Sequence, residues 1–138
     1  MGRAAVERVA LMSIHPVYAE AIFAGAKTVE FRKRRLAEDI KTVIVYATSP
    51  VSRVLGTFDI GEIVEDSPRA IWDRYGKHGV IGEEDFFGYY EGKELAVAII
   101  VDATNSFDEP LPLQEVEPNS SAPQSYAYLR RDQLLVTA

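Results

Sequence analysis

Between Gly25 and Arg34 the chain reads Gly-Ala-Lys-Thr-Val-Glu-Phe-Arg-Lys-Arg, and four of these side chains are equipped for recognition chemistry. Lys27 and Arg32 are cations, Thr28 brings a hydroxyl and Glu30 a carboxylate. Cations hold phosphate, while a carboxylate and a hydroxyl can read the exocyclic amines or hydroxyls of a base or ribose. The Gly-x-Lys-Thr string is not a phosphate loop. The G-x-x-x-x-G-K spacing is absent, and the segment leaves a helix for a strand where that loop needs the reverse order. The same residues also suit a solvated strand face on which Glu30 and Arg32 pair.

The surrounding pattern predicts how these residues are carried. Val9 to Ile14 is an apolar first strand. His15-Pro16 opens a helix, because proline suits a first helical position whose N–H is unpaired anyway. Val17, Ala21 and Ile22 form its apolar stripe with Tyr18 alongside, and Gly25 closes it. Thr28 to Arg32 then alternates, placing Val29 and Phe31 inward and Thr28, Glu30 and Arg32 outward. Thr42 to Thr48 is a β-branched strand ending at the Ser49-Pro50 turn, and a longer strand from about Arg53 to Glu65 carries Gly56 and Gly61 as bend or bulge points. Two helices follow, one capped by Ser67-Pro68 and stopped at Gly76, the other from about Gly82 to Glu91. Glu94 to Thr104 is a central strand, apolar on both faces. Residues 105–123 hold four prolines and an Asn-Ser-Ser run, which predicts an irregular loop, and Gln124 to Leu129 is again extended. Strands and helices do not alternate strictly, so the expectation is an α+β domain: a small, partly closed barrel of five to six mixed strands with short flanking helices.

Size and composition bound the rest. At 138 residues, 47% of them hydrophobic, the chain is one ordinary domain, with residues 1–8 as an arm and 9–138 as the folded unit. Without cysteine there are no disulfides, thiolate metal sites or thiol nucleophiles, a composition that fits a reducing cytoplasm. No apolar run approaches the roughly 20 residues that span a bilayer. The net charge is −6, yet six of the 15 Lys and Arg residues fall between Lys27 and Lys41. A basic segment on an acidic body points to one selective anion site rather than a general polyanion surface. The two histidines, His15 and His78, are far apart and make no metal site, and no cofactor is called for. Glu83, Glu84 and Asp85 read as a charged helix start, and among Phe86, Phe87, Tyr89 and Tyr90 one exposed tyrosine could stack a base.

Ser13-Ile14-His15-Pro16, Tyr18-Ala19, the Gly25 to Arg32 segment and Tyr46-Ala47-Thr48-Ser49-Pro50 together resemble the ASCH domain of the PUA-like superfamily. Gly56, Ser67-Pro68 with Trp72, Tyr90 with Gly92, and Pro123 to Tyr126 fit the same pattern, so the resemblance covers about Leu11 to Leu129. It implies a PUA-like β-barrel with a cleft beside the first helix, and binding of RNA or a nucleotide there through Lys27, Thr28, Glu30, Arg32, Lys33, Arg34, Arg53 and Tyr126. It also opens enzymatic readings. One branch is similar to ribonucleases. Cleavage of RNA needs a group to take the 2′-hydroxyl proton and cations to stabilise the phosphorane, for which Lys27, Glu30, Tyr46 and Ser125 are the candidates. Another branch is similar to amidohydrolases that remove acyl groups from N4-acylated cytidine with a lysine, a threonine and a glutamate. Lys27 matches that lysine, whereas Glu30 stands where the threonine is expected. A sensor of a small nucleotide-like ligand is the third reading, and monomer and homodimer are both open.

Overall fold

A computed structural model describes residues 6–137. Its strands are β1 (Arg8–Ile14), β2 (Val29–Arg32), β3 (Thr42–Ala47), β4 (Arg53–Asp66), β5 (Ala96–Leu111) and β6 (Tyr126–Arg130). The helices are α1 (Pro16–Phe23), α2 (Pro68–Tyr75), α3 (Glu83–Tyr89) and α4 (Leu113–Val116), with a 3₁₀ turn at Gly76–His78 after α2. All six strands form one mixed sheet in the order β2-β5-β4-β3-β1-β6, in which only β1 and β3 run parallel. No helix among the described residues is long and apolar enough to cross a membrane.

Both faces of the sheet's centre are covered, which explains its apolar runs. Ala10, Met12 and Ile14 of β1 share a core with Val43, Val45, Phe58, Val97 and Ile99, and Ala19 and Ile22 of α1 pack into it. Val9 and Leu11, facing the other way, pack with Ile44, Val54, Leu113 and Val116. A third cluster joins β2 and β5 to α2 and α3 through Val29, Phe31, Ile71, Phe86 and Tyr90. Phe86 is fully buried, with the Phe31 and Tyr90 rings each 4.9 Å from its own. On α1 the buried residues are Ala19 and Ile22, while Val17, expected on the apolar stripe, is 68% exposed.

The long strands bend where glycine allows it. The β4 ladders shift register next to Gly56 and around Gly61. A Cβ at Gly56 would collide with the Asn105 carbonyl and the Phe23 ring, so only glycine admits this approach.

Two expectations change. The sheet does not close into a barrel, because β2 and β6 are its edges and no backbone ladder joins them among the described residues. A four-residue β2 has few groups to pair, and the gap is bridged by a side chain instead: Arg32 of β2 donates to the carbonyls of Ser13 in β1 and of Ser125 just before β6. The irregular loop also starts later than 105. β5 runs on to Leu111, since Asn105 and Ser106 pair with Thr57 and Gly56 of β4 and Leu111 with Val54. Pro110 falls between those paired positions, the kind of place in a strand that tolerates a residue with no N–H. After α4 the stretch from Glu117 to β6 is irregular. Of the expected N-terminal arm, residues 1–5 lie outside the described residues, and Arg8 already belongs to β1.

Candidate functional site

β1 hands over to α1 at His15, with Pro16 as the first helical residue. The turn places His15 and Tyr18 beside Ser13 and Ile14 at the mouth of a hollow. Lys27, Glu30, Phe31 and Arg32 enter it from β2 and the residue pair before it, and Ile81 and Tyr89 from the α2–α3 loop and α3. Its volume is about 130 Å³, close to the ~150 Å³ of an apolar cavity that admits benzene. In volume it matches a single six-membered ring.

Within the hollow the charges are nearly dry. Lys27 and Glu30 side chains are 3% and 6% exposed, and their Nζ and Oε1 atoms lie 3.3 Å apart. Arg32 Nη1 meets Glu30 Oε2 at 3.1 Å. One carboxylate therefore sits between two cations, in a setting where electrostatic bonds are stronger than in water. Lys27 also donates to the Gly79 carbonyl at 2.6 Å, and its ammonium lies 4.9 Å from the centre of the Tyr18 ring. Burial pushes the Lys27 amine below its ordinary value, with Glu30 pulling the other way and Arg32 adding to the fall.

The wall that Lys27 grips is under strain. Val80, next to Gly79, has φ of 55°, a left-handed conformation that is an outlier for a β-branched residue. Two bonds fix the loop around it: Lys27 Nζ to the Gly79 carbonyl, and the Thr28 N–H to the His78 carbonyl at 2.9 Å. Gly79 itself packs so tightly on Phe31 that a Cβ would clash with the ring.

A wider groove of about 490 Å³ adjoins the hollow and shares Arg32 and Tyr89 with it. Lys33, Arg34, Gln124, Ser125 and Tyr126 complete its lining. Arg32 Nη2 donates to Ser125 Oγ at 2.6 Å. Lys33 Nζ lies 4.5 Å from the centre of the Tyr89 ring. The Tyr126 ring packs against Tyr128 with centroids 5.5 Å apart, and burial followed by a hydrogen bond with Tyr128 raises its phenol pKa. Burial also raises that of Tyr89.

The structure thus brings Lys27, Glu30 and Arg32 into one hollow, and Arg32, Lys33, Arg34, Ser125 and Tyr126 into the adjoining groove. It corrects the picture of an outward, solvated strand face: Glu30 is buried and Arg32 is only 13% exposed on its side chain. Thr28 is exposed and lines neither compartment. Arg53 is exposed at the start of β4, where it donates to the Ser52 carbonyl. Tyr46 packs against the cluster around Val9 and Leu11, one strand over from the hollow, in register with Ser13. Among the described residues no group of three or more His, Asp or Glu side chains is placed to hold a metal.

The ASCH domain family model matches residues 12–105. The chain belongs to the ASCH domain family. Among the relatives of this ASCH domain is an ASCH domain-containing ribonuclease of Zymomonas mobilis, 34% identical over 130 residues that cover 90% of this chain and 86% of that protein. The crystal structure of ASCH from Zymomonas mobilis superposes with a TM-score of 0.83, at 33% identity and with 91% and 90% of the two chains covered. The large ribosomal subunit protein uL22 of Ureaplasma parvum is 31% identical over 121 residues, 87% of this ASCH domain but 39% of that protein. Several residues that line the hollow were not candidates from the sequence. Tyr18 was legible beside an apolar helix stripe and in the family resemblance, and Ile81, in a loop, gave no periodic signal at all.

Proposed function

We propose that this ASCH domain binds single-stranded RNA, seating one base in the hollow and running the backbone phosphates past Lys33 and Arg34. The observation that carries this reading is the union of two unlike compartments at Arg32 and Tyr89. The hollow is ring-sized, partly aromatic and contains a buried carboxylate that can accept from an exocyclic amine. The groove carries exposed cations, and neither Lys33 nor Arg34 pairs with an acid among the described residues. Base contacts specify and phosphate contacts position, and the two compartments divide those tasks. The cysteine-free sequence is consistent with work in a reducing cytoplasm.

Fluorescence anisotropy with a labelled single-stranded RNA tests it. Two phosphate contacts give a slope of about −1.4 in log affinity against log salt, and Lys33→Ala reduces its magnitude by about 0.7. Affinity that does not change with salt refutes phosphate contact.

The 34% identity to the Zymomonas ribonuclease supports a second reading, cleavage of the bound strand. The phosphate leaving the hollow then lies by Arg32 and Ser125, where the guanidinium stabilises added charge and the serine hydroxyl orients an oxygen. Glu30, Lys27 and Tyr46 remain the acid–base candidates. Incubating labelled RNA with excess protein, with and without EDTA, decides the matter: intact RNA retires cleavage. If products form, Tyr46→Phe and Ser125→Ala lower the rate while leaving anisotropy-measured binding in place.

A further inference from the structure

We infer that the groove is a second nucleotide subsite with Tyr126 as its stacking platform, so that the unit recognised is a dinucleotide step rather than a lone nucleotide. This rests on a base occupying the hollow. A cavity of about 130 Å³ holds a ring but not the ribose and phosphate attached to it. Those groups must leave past Arg32 and Tyr89, the residues common to both compartments, and they enter a groove of about 490 Å³.

That groove offers the groups a phosphodiester and a following base require. Lys33 and Arg34 present charge to the phosphate. Ser125 Oγ accepts from Arg32, which leaves its own proton to donate to a phosphate oxygen. Tyr126 supplies an aromatic surface, half-buried and braced by Tyr128. Its position is set by the backbone, since Tyr126 pairs with Met12 in the β1–β6 ladder and the Ser13 N–H donates to the Ser125 carbonyl at 2.9 Å. A ring held in place before binding loses little freedom on stacking, and any base can stack on it. The hollow therefore selects and the groove extends the grip without selecting.

Isothermal calorimetry with ribo-oligonucleotides of one, two and four residues, their integrity checked afterwards, tests the inference. The expected result is a dinucleotide bound about tenfold more tightly than the mononucleotide, with Tyr126→Ala removing about five- to tenfold of dinucleotide affinity. Tyr126→Ala loses less mononucleotide than dinucleotide affinity, its fold being checked by far-UV circular dichroism, and Tyr126→Phe keeps the dinucleotide gain. Equal affinity for one and two residues, or equal losses for both ligands in Tyr126→Ala, overturns the second subsite while the base-in-hollow reading stands. Failure of the unaltered protein to bind any of the three lengths overturns that underlying reading, and this inference with it.

Discussion

Replacing Glu30 with glutamine keeps its shape and removes the single negative charge between Lys27 and Arg32. Both flanking contacts are short, 3.3 Å and 3.1 Å, and both lie among side chains that are at most 13% exposed. Breaking one side of a buried ion pair costs about 3–5 kcal/mol, because the remaining charge is left uncompensated. Arg32 retains its carbonyl partners on Ser13 and Ser125, so the lower end, about 3 kcal/mol, is expected. With an unfolding entropy of about 2.1 cal/mol/K per residue, a 138-residue chain loses about 10 °C in Tm. Differential scanning calorimetry reads this directly.

The same substitution has a pH signature. Glu30 is what raises the Lys27 pKa against burial, so its loss drops the amine further below 10.5. Between that lowered folded value and 10.5, the unfolded chain holds a proton that the folded chain has released, and stability rises with pH. The variant should therefore recover part of its deficit as pH climbs through this window. Adding Lys27→Met removes the stranded cation and returns part of the lost Tm at neutral pH. A Tm within 2 °C or so of the unaltered protein, on the scale of ~3 °C per kcal/mol for this length, refutes the buried-charge argument. So does a double variant less stable than Glu30→Gln alone.

Other expectations follow from the same structure. Val80→Gly relieves a left-handed β-branched residue that is 42% exposed, and urea denaturation should show a gain of about 1 kcal/mol. Phe86→Ala empties the centre of the aromatic cluster and should cost about 3–5 kcal/mol in the same assay. Arg32→Met removes the bridge between the two sheet edges, so hydrogen exchange should accelerate at the Ser13 and β6 amides more than in β3 and β4. Uniform acceleration across the sheet would count against a local bridge.

Much of the scaffold could be read from residue pattern because it rests on local rules. Proline at the start of α1 and α2, β-branched residues in β3 and bend-forming glycines in β4 each act within a few positions. The end of β5 could not be read that way. Residues 105–111 are polar and proline-bearing, and only their partners on β4 make them a strand. For the site, the grouping of Lys27, Glu30 and Arg32 was visible in their spacing. Their burial was not, since alternation says which side chains share a face but not whether another element covers it. Here the cover comes from α1 and the α2–α3 loop, through Tyr18 and Ile81. Tyr46 was named through the family resemblance, and its packing against the cluster around Val9 and Leu11 could not be read from its place in a strand.

Arg32 fastens one margin of the sheet to the other with a side chain where other strands use backbone. A joint of that kind can be opened or tightened without unravelling either strand. Whatever occupies the space around this guanidinium becomes, for as long as it stays, part of the stitching between the margins. Occupancy should then be felt as stiffness along β6, so that protection of its amides beyond Tyr126 reports on a ligand those residues do not touch.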